Sequence, residues 1–266
     1  MRLQLLSDLH LESEAFDPEP APGADLLVLA GDIDSTWAGY ARFAGWPVPV
    51  VVVAGNHEFD GRDLDTAWGG LRRVCERHGL RLLQREAWLF EAPDGERVRL
   101  LGCTRWSDFD LYGPGGRARA MRAARHFTTL MRASRAGAPF DARAIRAEGL
   151  ACRAWLAAAL AEPADGRWQR TVVVTHFGCS VRSIDPRFGG QPSSASFCNA
   201  DDELIAQCDL WLHGHLHCRH DYLVERAGRP PARVVCNARG IAAKGESEGH
   251  DPLRAVEAGP AGAHER

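Results

Sequence analysis

Val50-Val51-Val52-Val53-Ala54-Gly55-Asn56-His57-Glu58 joins a continuously apolar run to a glycine and then to polar side chains able to bind metal. Four β-branched residues in succession favour a strand, and the absence of alternation marks a strand buried on both faces. The same design recurs along the chain. Residues 26–30 run into Gly31-Asp32, residues 3–6 lead to Asp8-Leu9-His10, residues 172–175 to His176, and residues 210–213 to Gly214-His215-Leu216-His217. Each polar group therefore stands at the carboxyl end of a predicted strand, where open α/β sheets collect their ligand sites.

Further strands are predicted over 98–103 and 233–236, and helices over 35–44, 63–78, 118–135, 142–161 and 201–208. Gly79 stops the second helix and Asp141 caps the fourth. Strands alternating with helices early, followed by clustered strands, imply a layered mixed α/β fold. Residues 1–258 are expected to form a single domain, with a helical insertion or cap at about 108–163 and a frayed tail at 259–266. Within the insertion, Arg117, Arg119, Arg122, Arg125, Arg132 and Arg135 follow one another without an acidic residue, which suits a solvated helix face or a basic lid over an anion.

The 266 residues are 45% hydrophobic and 25% charged, average values for a folded globular chain. Lys and Arg number 32 against 35 Asp and Glu, giving a net charge of −3, so there is no overall basic field for nucleic acid. No apolar run is long enough to cross a bilayer. Met1 leads directly into a strand pattern, and a cytoplasmic location without a membrane partner is the expectation. The eight cysteines are scattered, with no Cys-x-x-Cys pair, and read as small buried apolar residues.

Asp8 and His10, two residues apart in extended chain, can present both side chains to one ion, and His215 and His217 repeat the device. Imidazole mixed with carboxylate favours two divalent or trivalent ions such as manganese, iron or zinc over magnesium. Two divalent ions bring a charge of about +4 and two carboxylates return about −2, and that surplus suits a phosphoryl group held between paired metals.

These segments resemble the calcineurin-like metallophosphoesterase superfamily, in its small bacterial phosphohydrolase and phosphodiesterase branch. The pattern Asp-x-His, Gly-Asp, Gly-Asn-His-Asp/Glu, a later His and Gly-His-x-His is present in order. The resemblance implies a four-layer αββα sandwich of two mixed β-sheets flanked by helices. It implies that Asp8, His10, Asp32 and His217 surround one metal, that Asp32, Asn56, His176 and His215 surround the other, and that a metal-bound hydroxide attacks phosphorus directly. His57 would stabilise or protonate the leaving oxygen, oriented by Asp8. Protein serine/threonine phosphatases carry an arginine before Gly-Asn-His and Asp-Arg-Gly after Gly-Asp; Ala54 and Ile33-Asp34-Ser35 stand there instead.

The substrate expected is a small-molecule phosphoester, a phosphodiester or nucleotide-like compound. Arg105, Arg182, Arg187 and Asn199 are candidate substrate groups from charge and proximity to the motifs. Alternatives are a phosphomonoesterase or single-strand nuclease of the same fold, and a non-catalytic metal-binding scaffold. Nucleic acid is not favoured, and no protein partner is indicated.

Overall fold

The computed structural model describes residues 1–259; the expected frayed tail lies, apart from Gly259, outside the described residues. Two sheets carry the architecture. The first contains β1 (Arg2–Leu6), β2 (Leu26–Ala30), β3 (Val50–Val53), β4 (Arg81–Leu82) and the late strand β13 (Ala255–Glu257), in the order β13-β1-β2-β3-β4, with β13 antiparallel and the rest parallel. The second has the order β11-β12-β10-β9-β6-β5, from β5 (Glu86–Glu91), β6 (Arg97–Cys103), β9 (Arg170–Thr175), β10 (Leu210–His213), β11 (Arg219–Arg226) and β12 (Arg229–Asn237). Its four central strands are parallel and its two edges antiparallel.

The sheets face one another, which explains the apolar runs. Leu3, Leu5, Leu26, Val28, Val51 and Val53 meet Leu100, Val172, Val174, Leu210, Leu212 and Val235 in one buried cluster. Alternate residues of the same strands, Leu27, Leu29, Val50 and Val52, pack outward against α1 (Leu64–Arg77) through its Leu64, Ala67, Leu71 and Cys75. On the far side Leu101, Val173, Trp211 and Val234 pack under helices described below. Both faces of both sheets are therefore covered, and the αββα sandwich is present.

The predicted helices differ in detail. The Asp63 side chain caps α1 by accepting from the Asp65 and Thr66 amides. Residues 35–44 form only a 3₁₀ turn, Ala38–Phe43, because Asp34 accepts from the Thr36 and Gly39 amides and Trp37 enters the left-handed region at φ 71°. The arginine-rich segment is broken at Ala124 into α2 (Arg117–Ala123) and α3 (Arg125–Met131); Arg132 then turns left-handed and leads to a hairpin of β7 (Ser134–Arg135) and β8 (Ala138–Pro139). The fourth helix, α4 (Ala142–Ala161), has the predicted bounds, and α5 is the single turn Asp202–Ile205.

The segment expected as a helical insertion at about 108–163 ends in α4, which packs on the second sheet. Cys152, Leu156 and Leu160 of α4 pack with Leu101 and Val173, and Leu204 and Ile205 of α5 join them, so α4 is an outer layer of the sandwich. The part before α4, with its short helices and hairpin, buries Ala120, Ala124, Met131, Ala133 and Phe140 in the cluster that holds Leu27, Leu29 and the inner face of α1. All eight cysteines are buried and unpaired.

Candidate metal centre

The motif residues meet where the carboxyl ends of both sheets adjoin. Loop backbones carry the sheet pairing past the strands: the Asp8 amide donates to the Gly31 carbonyl at 2.9 Å and the His10 amide to the Asp32 carbonyl at 3.2 Å. The seam between sheets is closed by β12, whose following residues Arg239 and Gly240 donate to the Ser7 and Asp8 carbonyls at 3.1 and 3.0 Å.

Two groups of side chains result. Asp8, His10 and His217 hold donor atoms within 4.8 Å of one another, as do Asp32, His176 and His215. In the first, Nε2 of His10 is 3.1 Å from Nε2 of His217, which in turn is 3.5 Å from Oδ1 of Asp8. In the second, Nε2 of His176 lies 3.2 Å from Oδ2 of Asp32 and 3.3 Å from Oδ1 of Asn56. All seven candidate ligands are thus brought together.

The opposite ring nitrogens are engaged. Nδ1 of His10 faces Glu12 at 3.2 Å, Nδ1 of His217 faces Glu246 at 2.6 Å, and Nδ1 of His176 faces the Ala30 carbonyl at 2.8 Å. Such partners fix the tautomer that turns a lone pair on Nε2 inward. His215 is reversed: its Nε2 lies 3.4 Å from the Ser196 carbonyl, which leaves Nδ1 for a ligand bond. This donor set, nitrogens converging with carboxylate oxygens and braced from behind, fits a pair of divalent or trivalent cations.

The backbone shows the same demand. Asp8, His10, Asp32, His215 and His217 have φ between 48° and 72°, five of the twelve non-glycine positive φ values among the described residues. Each costs of order 1–3 kcal/mol, and such concentration marks a functional constraint rather than ordinary turns. Two glycines make room: a Cβ on Gly31, itself at φ 90°, would stand 2.4 Å from Nδ1 of His176, and one on Gly214 would stand 2.5 Å from Oδ2 of Asp8.

Charge follows from burial and neighbours. Burial favours neutral Asp32, but His176 and His57 outweigh it and hold the carboxyl well below its usual range. Burial likewise opposes a charge on His176, yet Asp32 raises its pKa to about 9. His215, with burial and His176 both against a second cation, is held neutral. A metal ion placed against Asp32 competes with the imidazole protons and releases them.

The family model for calcineurin-like phosphoesterases matches residues 1–219, which contain all seven candidate ligands. The chain belongs to that family. This metallophosphoesterase is also similar to solved structures: to the crystal structure of a phosphopantetheinyl hydrolase (PptH) from Mycobacterium tuberculosis, at 18% identity and a TM-score of 0.71, covering 96% of this chain and 95% of that one. A dimetal phosphatase from Danio rerio matches at 14% identity and a TM-score of 0.48, over 88% and 86% of the two chains. No curated protein matches the chain. Family membership makes the chain a metal-dependent phosphoester hydrolase whose centre takes two metal ions.

The other candidate residues have partners of their own. His57 is at the mouth, its ring 5.2 Å from that of His10, but its Nδ1 is held by Asp60 at 2.6 Å. Asp8 does not orient it; both Asp8 oxygens accept from the His215 amide at 3.0 Å. Arg105 is fully buried, its guanidinium bonded to Asp201, Asp108 and the Trp106 and Gly149 carbonyls, so it cannot reach a substrate. Asn199 is buried with it, accepting from the Asp108 amide and donating to the Arg105 carbonyl. Arg182 lies over the Tyr222 ring and donates to the Leu223 carbonyl, while Arg187 pairs with Asp185 at 2.6 Å.

Glu58 is the largest omission of the sequence reading. Fully buried, it accepts from the amides of Asp32, Ile33 and Gly55 at 3.0, 2.8 and 2.7 Å and from the Tyr40 hydroxyl at 3.0 Å. One carboxylate thereby clamps the Gly-Asp loop to the Gly-Asn-His loop. Its place three residues after Gly55 was visible in the sequence, whereas its partners were not.

Proposed function

We propose that this metallophosphoesterase cleaves a small organic phosphodiester. The observation carrying this reading is the engagement of the arginines beside the ligand loops. Arg105 is bound by Asp108 and Asp201, Arg239 by Glu14 and the Leu9 carbonyl, and Arg62 by the Glu58 and Asp60 carbonyls. A monoester dianion gains most from such side chains, because a paired guanidinium and phosphate match in charge and geometry. A diester carries a single negative charge and is suited by the centre's own surplus.

Asp8, His10, Asp32 and His217 would hold one ion, and Asp32, Asn56, His176 and His215 the other, with Asp32 shared. Two cations held by these residues would supply positive charge for the phosphoryl oxygens and a lowered pKa for a water. His57 would donate the proton to the departing alkoxide. In the metal-free protein burial works against its cation, but Asp32, Asp60 and Glu58 together raise its pKa to about 10; with cations against Asp32, the Asp60 carboxylate is the partner left to favour the charge. With Nδ1 on Asp60, Nε2 is the nitrogen available to the leaving oxygen.

The test is hydrolysis of bis-p-nitrophenyl phosphate beside p-nitrophenyl phosphate, with added manganese, and with chelated enzyme and Asp32→Ala as controls. Metal-dependent preference for the diester supports the reading, and preference for the monoester overturns it. A phosphopantetheinyl ester, the group named for the mycobacterial neighbour, belongs in the same panel as an organic phosphoester.

A further inference from the structure

Next to the metal ligands the chain builds an apolar recess of about 260 Å³, walled by Ile184, Phe188, Phe197 and Leu216, with Gln191 and Ser194 at its edge. Its wall is continuous with the centre. Leu216 stands between the ligands His215 and His217 in sequence, and the Phe197 ring lies 5.1 Å from the His215 ring, inclined by 31°. Gly178 pins this wall beside His176 by donating to the Phe197 carbonyl at 3.0 Å and accepting from the Asn199 amide at 2.8 Å.

Two features make the recess a binding surface rather than leftover core. Phe188 is 64% exposed and Phe197 39% exposed, so two rings are left in water at the mouth of a charged site. Among the described residues, the one charged group lining it, Asp185, is bound by Arg187, and the Ser194 hydroxyl donates to the Gly189 carbonyl. The surface therefore selects neither a second phosphate nor a cation.

Resting on the phosphoesterase reading above, we infer that this recess seats a flat, uncharged ring carried by the substrate's ester group. Its volume sits just under the roughly 300–1,000 Å³ of pockets for drug-sized ligands, which suits one ring system and not a polymer. The two phenyl walls supply apolar contact on the ring's faces. Ile184, Phe188 and Phe197 are then specificity-determining residues of the hydrolase.

Competitive inhibition of bis-p-nitrophenyl phosphate hydrolysis by phenylphosphonate and by methylphosphonate tests this. The inhibitors share the metal-binding head and differ in the group offered to the recess. Phenylphosphonate is expected to bind about tenfold or more tightly than methylphosphonate, an advantage of the size given by burial of one ring. Phe188→Ala, at an exposed position, and Ser193→Trp, which fills the recess, should each bring the ratio of the two inhibition constants close to one. Equal inhibition of the wild type, or a ratio untouched by both substitutions, overturns the recess and leaves the hydrolase standing. Failure of metal-loaded protein to hydrolyse the diester at all overturns both.

Discussion

Both carboxylate oxygens of Asp8 lie 3.0 Å from the amide nitrogen of His215, tying the loop after β1 in one sheet to the loop after β10 in the other. Gly214 allows that approach, since a Cβ there would meet Oδ2 of Asp8 at 2.5 Å and Oγ of Ser7 at 2.7 Å. Gly214→Ala is therefore expected to displace Asp8 and weaken metal binding at least tenfold, without removing any ligand. Titration of manganese into the variant measures it; wild-type affinity would show that the loop yields more easily than the contact suggests.

Glu58→Gln keeps the shape of the side chain but turns an amide toward backbone amides. Donor facing donor in a fully buried site should cost about 3 kcal/mol of stability. Equilibrium denaturation should show a lower midpoint, and activity of the folded fraction should fall as the Asp32 and Asn56 loops separate. A stability within experimental error of wild type would mean that Glu58 is not the clamp.

The side chains that converge at the centre could be read from the sequence as candidates because each lies within a few residues of the strand that carries it. Their supports could not. Glu246 is 29 residues from His217, and Arg105 meets Asp201 across 96 residues, so nothing local distinguishes a substrate arginine from one balancing buried carboxylates. The edge strands β5 and β11 escaped for a different reason. Charged and half-exposed positions interrupt them, as Glu86, Glu91 and Asp221 do, and edges tolerate charge that central strands exclude. The 3₁₀ turn at Ala38–Phe43 has the periodicity of a helix, but side-chain caps from Asp34 compete with helical bonds through contacts that periodicity does not register.

Glu246 holds the outer nitrogen of His217 and is itself kept at a pKa of about 2: burial would raise it, but the His217 ring and the Ile241 amide outweigh burial. Its contribution to stability is present above its ordinary value of 4.5 and is lost as pH falls through about 2. Glu246→Gln should weaken binding of one of the two metals by about 10–100-fold and spare the other. Two-step metal titration reads this directly, and loss at both steps would argue against separate support for each ion.

In metal-free protein, His57 and His176 have pKa values raised from 6.5 to about 10 and about 9, in both cases by Asp32 against the effect of burial. A raised folded-state pKa stabilises fully below about 6.5 and is lost as pH climbs through 9 and 10. Stability of the chelated wild type should therefore decline between pH 7 and 10, and His57→Gln should flatten part of that decline. An identical slope in the variant would remove His57 from the pairing with Asp32. Metal added near pH 7.5 should release protons, because His176 must be neutral to serve as a ligand.

The most direct test of the dinuclear centre is the metal content of protein reconstituted with manganese and desalted, measured by elemental analysis with His10→Ala and His215→Ala beside the wild type. Two ions per wild-type chain and one in each variant are expected, since the two histidines belong to different groups of candidate ligands. One ion in the wild type, or complete loss in both variants, would contradict a dinuclear centre.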